Sequence, residues 1–178
     1  MKKILSTILA TILCISAFAQ ISVNGGYLHT TYNVSQSGAA GNVSGNGFYA
    51  GVGFEIKLAD YSQLSFAPSL NFNLVDCNLG EFGRFNETFY SAPLHIKYTR
   101  PIDFTSSLFV SAGPSLICTC ESWEFDDFDV AMGVEGGILL SNHLKFMLGY
   151  DFGLINQAEG STYRITRNIL HLGVGYKF

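Results

Sequence analysis

Charge is scarce in this sequence. Asp, Glu, Lys and Arg make up only 13% of its 178 residues, where a soluble domain carries roughly 25%. A solvated, charged surface therefore does not cover the outside. The few charges balance to −4 with the lysines and arginines scattered, which excludes the basic patch that nucleic acid requires. Long apolar runs are missing as well: beyond the first 19 residues none approaches the ~18 that a membrane helix needs. Aromatic residues, by contrast, reach 14%, and there are 19 glycines. Apolar surface without an apolar run points to a membrane β-barrel, where lipid-facing and lumen-facing residues alternate and hydropathy averages out.

The first residues read as an export signal. MKKILSTILATILCISAFAQ has two lysines, an apolar stretch from Ile4 to about Ile15, and the small-residue site Ala17-Phe18-Ala19. Residues 1–19 are expected to be a signal peptide cleaved before Gln20, and residues 20–178 a single outer-membrane β-barrel domain. A lipoprotein anchored on Cys14 fits less well, because Leu13 stands where a small residue is wanted.

Eight stretches then alternate with a period of two, the pattern of a strand whose successive side chains face opposite ways. They run over 21–33, 48–58, 64–74, 90–99, 108–118, 128–140, 144–154 and 168–178. In the second, Phe48, Ala50, Val52, Phe54, Ile56 and Leu58 face one way, with Tyr49, Gly51, Gly53, Glu55 and Lys57 opposite. In the last, Leu170, Leu172, Val174, Tyr176 and Phe178 oppose Ile169, His171, Gly173, Gly175 and Lys177. Each is long enough for a tilted strand across the outer-membrane core.

The connections after the second, fourth and sixth stretches are short (59–63, 100–107, 141–143). Those after the first, third, fifth and seventh are longer and rich in Gly, Ser, Asn or acids (34–47, 76–87, 119–127, 156–165). Short periplasmic turns alternating with longer outer loops define an eight-stranded antiparallel up-and-down transmembrane barrel with both ends in the periplasm. The competing fold is a soluble eight-stranded barrel such as a lipocalin, which would turn a face of mostly glycine, alanine and serine toward water.

Pro68, Pro93 and Pro114 fall in the middles of the third, fourth and fifth strands. Proline cannot donate to a ladder, so a bulge or bend is expected there, curving the wall. The stretches around these prolines, LSFAPSLNFN (64–73), SAPLHIKYTR (91–100) and FVSAGPSLI (109–117), together with the tail LGYDFGLIN…NILHLGVGYKF, resemble in order the porin-family outer-membrane β-barrel domain. That group is also called PorT-like and is common in Bacteroidetes. The resemblance covers the whole chain after the export signal and implies a barrel in the cell outer membrane. It implies little about activity. The alternating last strand ending on Phe178 also resembles the signal read by outer-membrane assembly machinery, with Tyr176 and Phe178 as its aromatic residues.

Eight strands enclose an interior just wide enough for side chains to fill. Glu55, His95, Glu135, Asp151 and His171 fall on the lumen face at middle depth, and Lys57, Lys97, Lys145 and Lys177 nearer the periplasmic end. An acidic layer beside a basic one reads as an internal salt-bridge network, because buried carboxylates are costly unless paired. The alternative is a gated polar path or a proton-sensitive switch at the histidines. Catalysis requires a nucleophile with a base in reach, and His29 with Thr31 on the lipid face is the one candidate; no catalytic role is expected.

The outer segment CESWEFDDFD (120–129) clusters Glu121, Glu124, Asp126, Asp127 and Asp129 but lacks the spacing and glycine of an EF-hand; it reads as a solvated loop, with divalent-cation binding the alternative. Trp123 suits the membrane interface. Cys77, Cys118 and Cys120 remain after processing, and a Cys77–Cys120 bridge is sterically open in an oxidising compartment. No metal, cofactor or nucleic acid is expected. The expected partners are outer-membrane lipid and lipopolysaccharide, the barrel assembly machinery, and an unidentified envelope or secretion partner. The expected role is structural or surface-interacting rather than that of a diffusion porin, with PorT-like assistance to secretion or uptake as the alternative and lipid modification a more remote one.

Overall fold

The alternation resolves into strands in the computed structural model, which describes residues 20–36, 39–58, 63–78, 84–120, 128–156 and 163–178. They are β1 (Gln20–Gln36), β2 (Ala39–Lys57), β3 (Leu64–Asn78), β4 (Arg84–Pro101), β5 (Ser107–Thr119), β6 (Phe128–Leu140), β7 (Leu144–Gly153) and β8 (Tyr163–Lys177). Each pairs antiparallel with its neighbours in the chain, and β8 returns to β1 to close the barrel. Closure is what lipid demands, since an open edge would leave backbone groups with no partner. The signal peptide expected over 1–19, Trp123 and most of the acidic segment (121–127) lie outside the described residues.

The period of two becomes an inside and an outside. Along β5 every inward residue from Ser107 to Thr119 is buried and every outward one exposed, with Gly113 alone intermediate. Among the described residues thirty large apolar side chains are exposed, Phe48, Leu70, Val110, Leu148 and Leu172 among them. In water each would forgo a share, set by its exposure, of the roughly 1.5–3 kcal/mol that full burial is worth, so hydrocarbon is the solvent this surface fits. Aromatic pairs flank the band. Tyr27 meets Phe48 edge-on and Phe72 lies against Tyr90 toward the outer end, while Tyr176 meets Phe178 at the opposite rim. These are the two girdles of a membrane barrel.

Two periplasmic turns, β4–β5 and β6–β7, are tightly made. In the β6–β7 turn the His143 amide donates to the Leu140 carbonyl, and Ser141 and Asn142 both hold positive φ, 51° and 59°, as a type I′ turn requires. In the β4–β5 turn the Asp103 carboxylate accepts the Thr105 and Ser106 amides at 2.8 and 2.6 Å. Those two hydrogen bonds hold its carboxyl below the ordinary value of 3.8. His143 also fastens the end of the chain. Its amide oxygen accepts the Lys177 N–H, its Nδ1–H donates to the Lys177 carbonyl at 2.8 Å, and its ring stacks on Tyr176. The Phe178 amide then donates to Ile21, sealing β8 against β1.

Two expectations need correction. First, β1, β2, β3, β4 and β8 run on beyond the band at the outer end, into segments read as loops: β1 and β2 pair as far as Gln36↔Ala39, β3 and β4 as far as Asn78↔Arg84, and β8 meets β1 as far as Gln36↔Tyr163. The strands β5 to β7 stop at Thr119, Phe128 and Gly153. Among the described residues the outer end is therefore a one-sided wall. Second, the prolines make no bulge. Beside Pro68 the β2–β3 pairing passes from Gly53↔Ser69 to Ile56↔Phe66, beside Pro93 the β3–β4 pairing passes from Pro68↔Leu94 to Asn71↔Ser91, and beside Pro114 the β4–β5 pairing passes from Pro93↔Ser115 to Ile96↔Ala112. A bulge adds a residue to one strand and shifts register; here each ladder opens for two pairs and resumes in the same register.

Candidate functional site

The lumen carries the chemistry of this chain, and it is built in three storeys. The lowest holds the lysines. Lys97 Nζ lies 2.7 Å and Lys177 Nζ 3.1 Å from the same Glu55 oxygen, and Ser65 donates to the other oxygen at 3.1 Å. Lys145 Nζ lies 2.9 Å from Glu135. The Phe109 ring stands between Lys97 and Lys145, whose ammonium groups sit 4.7 and 4.8 Å from its centre. Attraction to the ring face adds to that of the carboxylates. Lys57 departs from the expected network. It lies at the last position of β2, exposed at the rim, and forms no ion pair among the described residues.

The middle storey holds the histidines. His171 places Nε2 3.4 Å from Glu135 and Nδ1 3.8 Å from Asp151. Asp151 also accepts Ser115 Oγ at 3.1 Å, and His95 Nδ1 faces Ser111 Oγ at 3.3 Å. Glycines make this layer possible. A Cβ on Gly133 would meet Asp151 and His95, one on Gly149 would meet the His171 ring, and one on Gly173 would meet the Tyr49 hydroxyl. The ring side chains thus lie flat on bare backbone opposite them. Serines, histidines and carboxylates also line a cavity of about 70 Å³ running up from Gln20 and Lys177 to Leu28 and Ile169.

The top storey closes the lumen. Arg167, fully buried, reaches across from β8 to Glu87 on β4 at 2.8 Å, and its Nη2 also faces Thr119 at 3.3 Å. Tyr32 donates its hydroxyl to the other Glu87 oxygen. The guanidinium is held near the rings of Phe89 and Tyr32, at 4.8 and 5.4 Å. Leu28, Val75, Cys77, Ile117, Ala131 and Ile169 pack around them as an apolar plug. A charge taken out of water needs this much company.

Sequence reasoning missed the Arg167–Glu87 pair. Arg167 lies on the lumen face of β8, but Glu87 falls at the end of the outer loop that the sequence predicts over 76–87. The signal that finds it is the inward pair Glu87 and Phe89 between outward Asn86, Thr88 and Tyr90. On the lipid side His29 and Thr31 both face outward, yet His29 Nδ1 engages Asn46 at 2.8 Å, and Asn46 also accepts the Tyr27 hydroxyl. The described cysteines are free thiols, Cys77 buried in the plug and Cys118 and Cys120 exposed, so no bridge joins Cys77 to Cys120. Among the described residues no group of three or more His, Cys, Asp or Glu is arranged to hold a metal ion.

A lipid-facing band, a closed eight-strand wall and a filled lumen agree with a match to known families that spans residues 5–178. The chain belongs to the outer membrane protein beta-barrel domain family. Like that family it resides in the cell outer membrane. Solved outer-membrane proteins are similar to this outer membrane beta-barrel protein at low identity. Neisserial surface protein A is 16% identical over 90% of this chain and 99% of its own, with a TM-score of 0.52. OprG from Pseudomonas aeruginosa is 14% identical over 90% and 96%, with a TM-score of 0.48. Ail of Yersinia pestis, solved with the heparin analogue sucrose octasulfate, is 14% identical over 90% and 99%, with a TM-score of 0.49. No curated protein matches the chain.

Proposed function

We propose that this outer membrane beta-barrel protein is a structural or surface-interaction protein and not a diffusion porin. The observation that carries the reading is the top storey: Arg167, Phe89, Leu28 and Ile117 are each under 2% exposed and fill the outer end of the lumen. Eight strands leave no room for a bypass. The part of the molecule free to meet other bodies is then its outer wall, where β1–β4 and β8 rise past the lipid band with Thr31, Asn33, Asn42, Ser44 and Asn86 outward. No catalytic role belongs to this reading; the outward imidazole of His29 is engaged by an amide rather than by a nucleophile. Lipid and lipopolysaccharide surround the band, and the assembly machinery acts on the last strand.

The test has two arms. Purified protein in planar bilayers is expected to give no steady conductance, and nanosiemens-scale channels would overturn the reading. Deletion of the gene is expected to alter envelope integrity or surface adhesion. A secretion defect with an intact envelope would instead favour the PorT-like role that the proline-centred motifs suggest. The fold alone does not choose between them.

A further inference from the structure

The cavity below the plug has a direction. It begins at the periplasmic rim with Gln20 and Lys177 and adjoins a hollow at that rim lined by Glu55, Lys57 and Thr99. It ends blind under Leu28 and Ile169, which are 0% and 4% exposed. Three polar atoms lining it, Asn24 Oδ1, Tyr49 Oη and His95 Nε2, are buried without a hydrogen-bond partner among the described residues. Buried polar groups without partners call for water or a polar guest, and a volume of about 70 Å³ holds about five waters at ~10–15 Å³ each. Charge is uneven along the way. The periplasmic half presents Lys57, Lys97, Lys145 and Lys177 against Glu55 and Glu135, four positive charges to two negative, with Asp151 deeper.

We infer that the lumen is a blind vestibule that admits small hydrophilic solutes from the periplasm, anions in preference to cations, and nothing from outside the cell. Its four lysines select at the mouth, the three unpartnered polar atoms receive the guest, and the Arg167 plug stops it. This adds a one-sided binding site to the sealed barrel described above.

Thiol accessibility tests it. In a chain whose Cys14, Cys118 and Cys120 are replaced by serine, native Cys77 reports on the plug, while Ser22→Cys and Ser91→Cys report on the shallow and deep cavity. Folding of each variant is checked by heat-modifiable gel mobility. Proteoliposomes of known orientation are treated from either side with sulfonatoethyl or trimethylammonioethyl methanethiosulfonate, each rate normalised to that with a free thiol. Cys introduced at 22 and 91 is expected to react from the periplasmic side only, 22 faster than 91, and Cys77 from neither side until the protein is unfolded. The anionic reagent should be favoured at least about fivefold at low salt, from two excess charges within roughly 8 Å. That preference should shrink at high salt and with Lys57→Gln/Lys177→Gln. Reaction of Cys77 in the folded protein, labelling from the outer side, silence at both 22 and 91, or a preference for the cation would each overturn the inference.

Discussion

Glu87→Ala is expected to be among the most damaging single changes inside this barrel. It strips Arg167 of the carboxylate it holds at 2.8 Å and leaves Nη2 with Thr119 at 3.3 Å. The guanidinium is fully buried, and its Nε and Nη1 have no hydrogen-bond partner among the described residues even before the substitution. Removing one member of a buried pair typically costs 3–5 kcal/mol. The rings of Tyr32 and Phe89 attract a desolvated guanidinium by about 2 kcal/mol each, but they are present in both states of the comparison and do not replace the carboxylate. A loss of about 3 kcal/mol lowers the folding equilibrium constant more than a hundredfold. The contrasting variant removes the charges together, in a parent carrying Asp129→Asn because that buried carboxylate lies close enough to repel Glu87: Glu87→Leu, Arg167→Met and Tyr32→Phe, the last because the Tyr32 hydroxyl otherwise loses its acceptor. Apolar replacement of a whole buried cluster is often neutral or stabilising, so this triple variant should unfold within about 1 kcal/mol of the parent. Equilibrium urea unfolding in lipid vesicles, read by heat-modifiable mobility, gives both values. A cost below about 1 kcal/mol for Glu87→Ala, or a triple variant as weak as the single one, would show that the plug does not depend on this pair.

Four further outcomes are expected. Deleting Phe178 or replacing it with lysine should slow insertion into the outer membrane while export continues; the intrinsic cost at the interface is only about 0–1 kcal/mol, so equal assembly rates in pulse-chase gels would dismiss an assembly role. Gly26→Val should hinder closure, because a Cβ there meets the Leu172 carbonyl and Gly173 Cα of β8, backbone that cannot turn aside; unchanged heat-modifiability would contradict this. Replacing Ser141-Asn142 with Asn-Gly should raise the unfolding midpoint, since both residues hold positive φ and this pair suits a type I′ turn. Asp103 has a depressed carboxyl pKa in the folded state, so what it adds to the β4–β5 turn is present above its unfolded value and fades as pH falls below about 3.8. Amide exchange at Thr105 and Ser106 should accelerate in that acid range, and Asp103→Asn should remove the pH dependence.

The membrane-embedded part of this fold was legible because lipid enforces contrast between faces. Phe128–Leu140 could be bounded from its alternation alone, and the inward placement of Glu55, His95, Glu135, Asp151 and His171 followed from the same count. Past the lipid band that contrast disappears. In Ala39-Ala-Gly-Asn-Val-Ser-Gly-Asn both faces are small or polar, so a paired strand looks like a loop. Glu87 was hidden for the same reason, sitting among Asn86 and Thr88 with nothing apolar outside to mark the period. Lys57 differs in another way: its face agrees, but it lies at the end of β2 and forms no ion pair among the described residues. The proline strands were read through the need for a missing donor to be accommodated, and two accommodations exist. A bulge or a bend is the expectation; the chain adds no residue and drops two rungs instead.

Those dropped rungs fall side by side on β2 to β5, next to Ala67, Pro93 and His95 of the cavity wall. A sheet with fewer hydrogen bonds along one line behaves like card scored with a blade: it folds there first and stays flat elsewhere. The closed cylinder thus has a crease on one flank, between the clasp at its foot and the plug at its head. Along it the wall can flex in and out, changing the width of the interior while every strand keeps its register. Deuterium should enter the backbone along this line well before it reaches the uninterrupted ladder between β5 and β6.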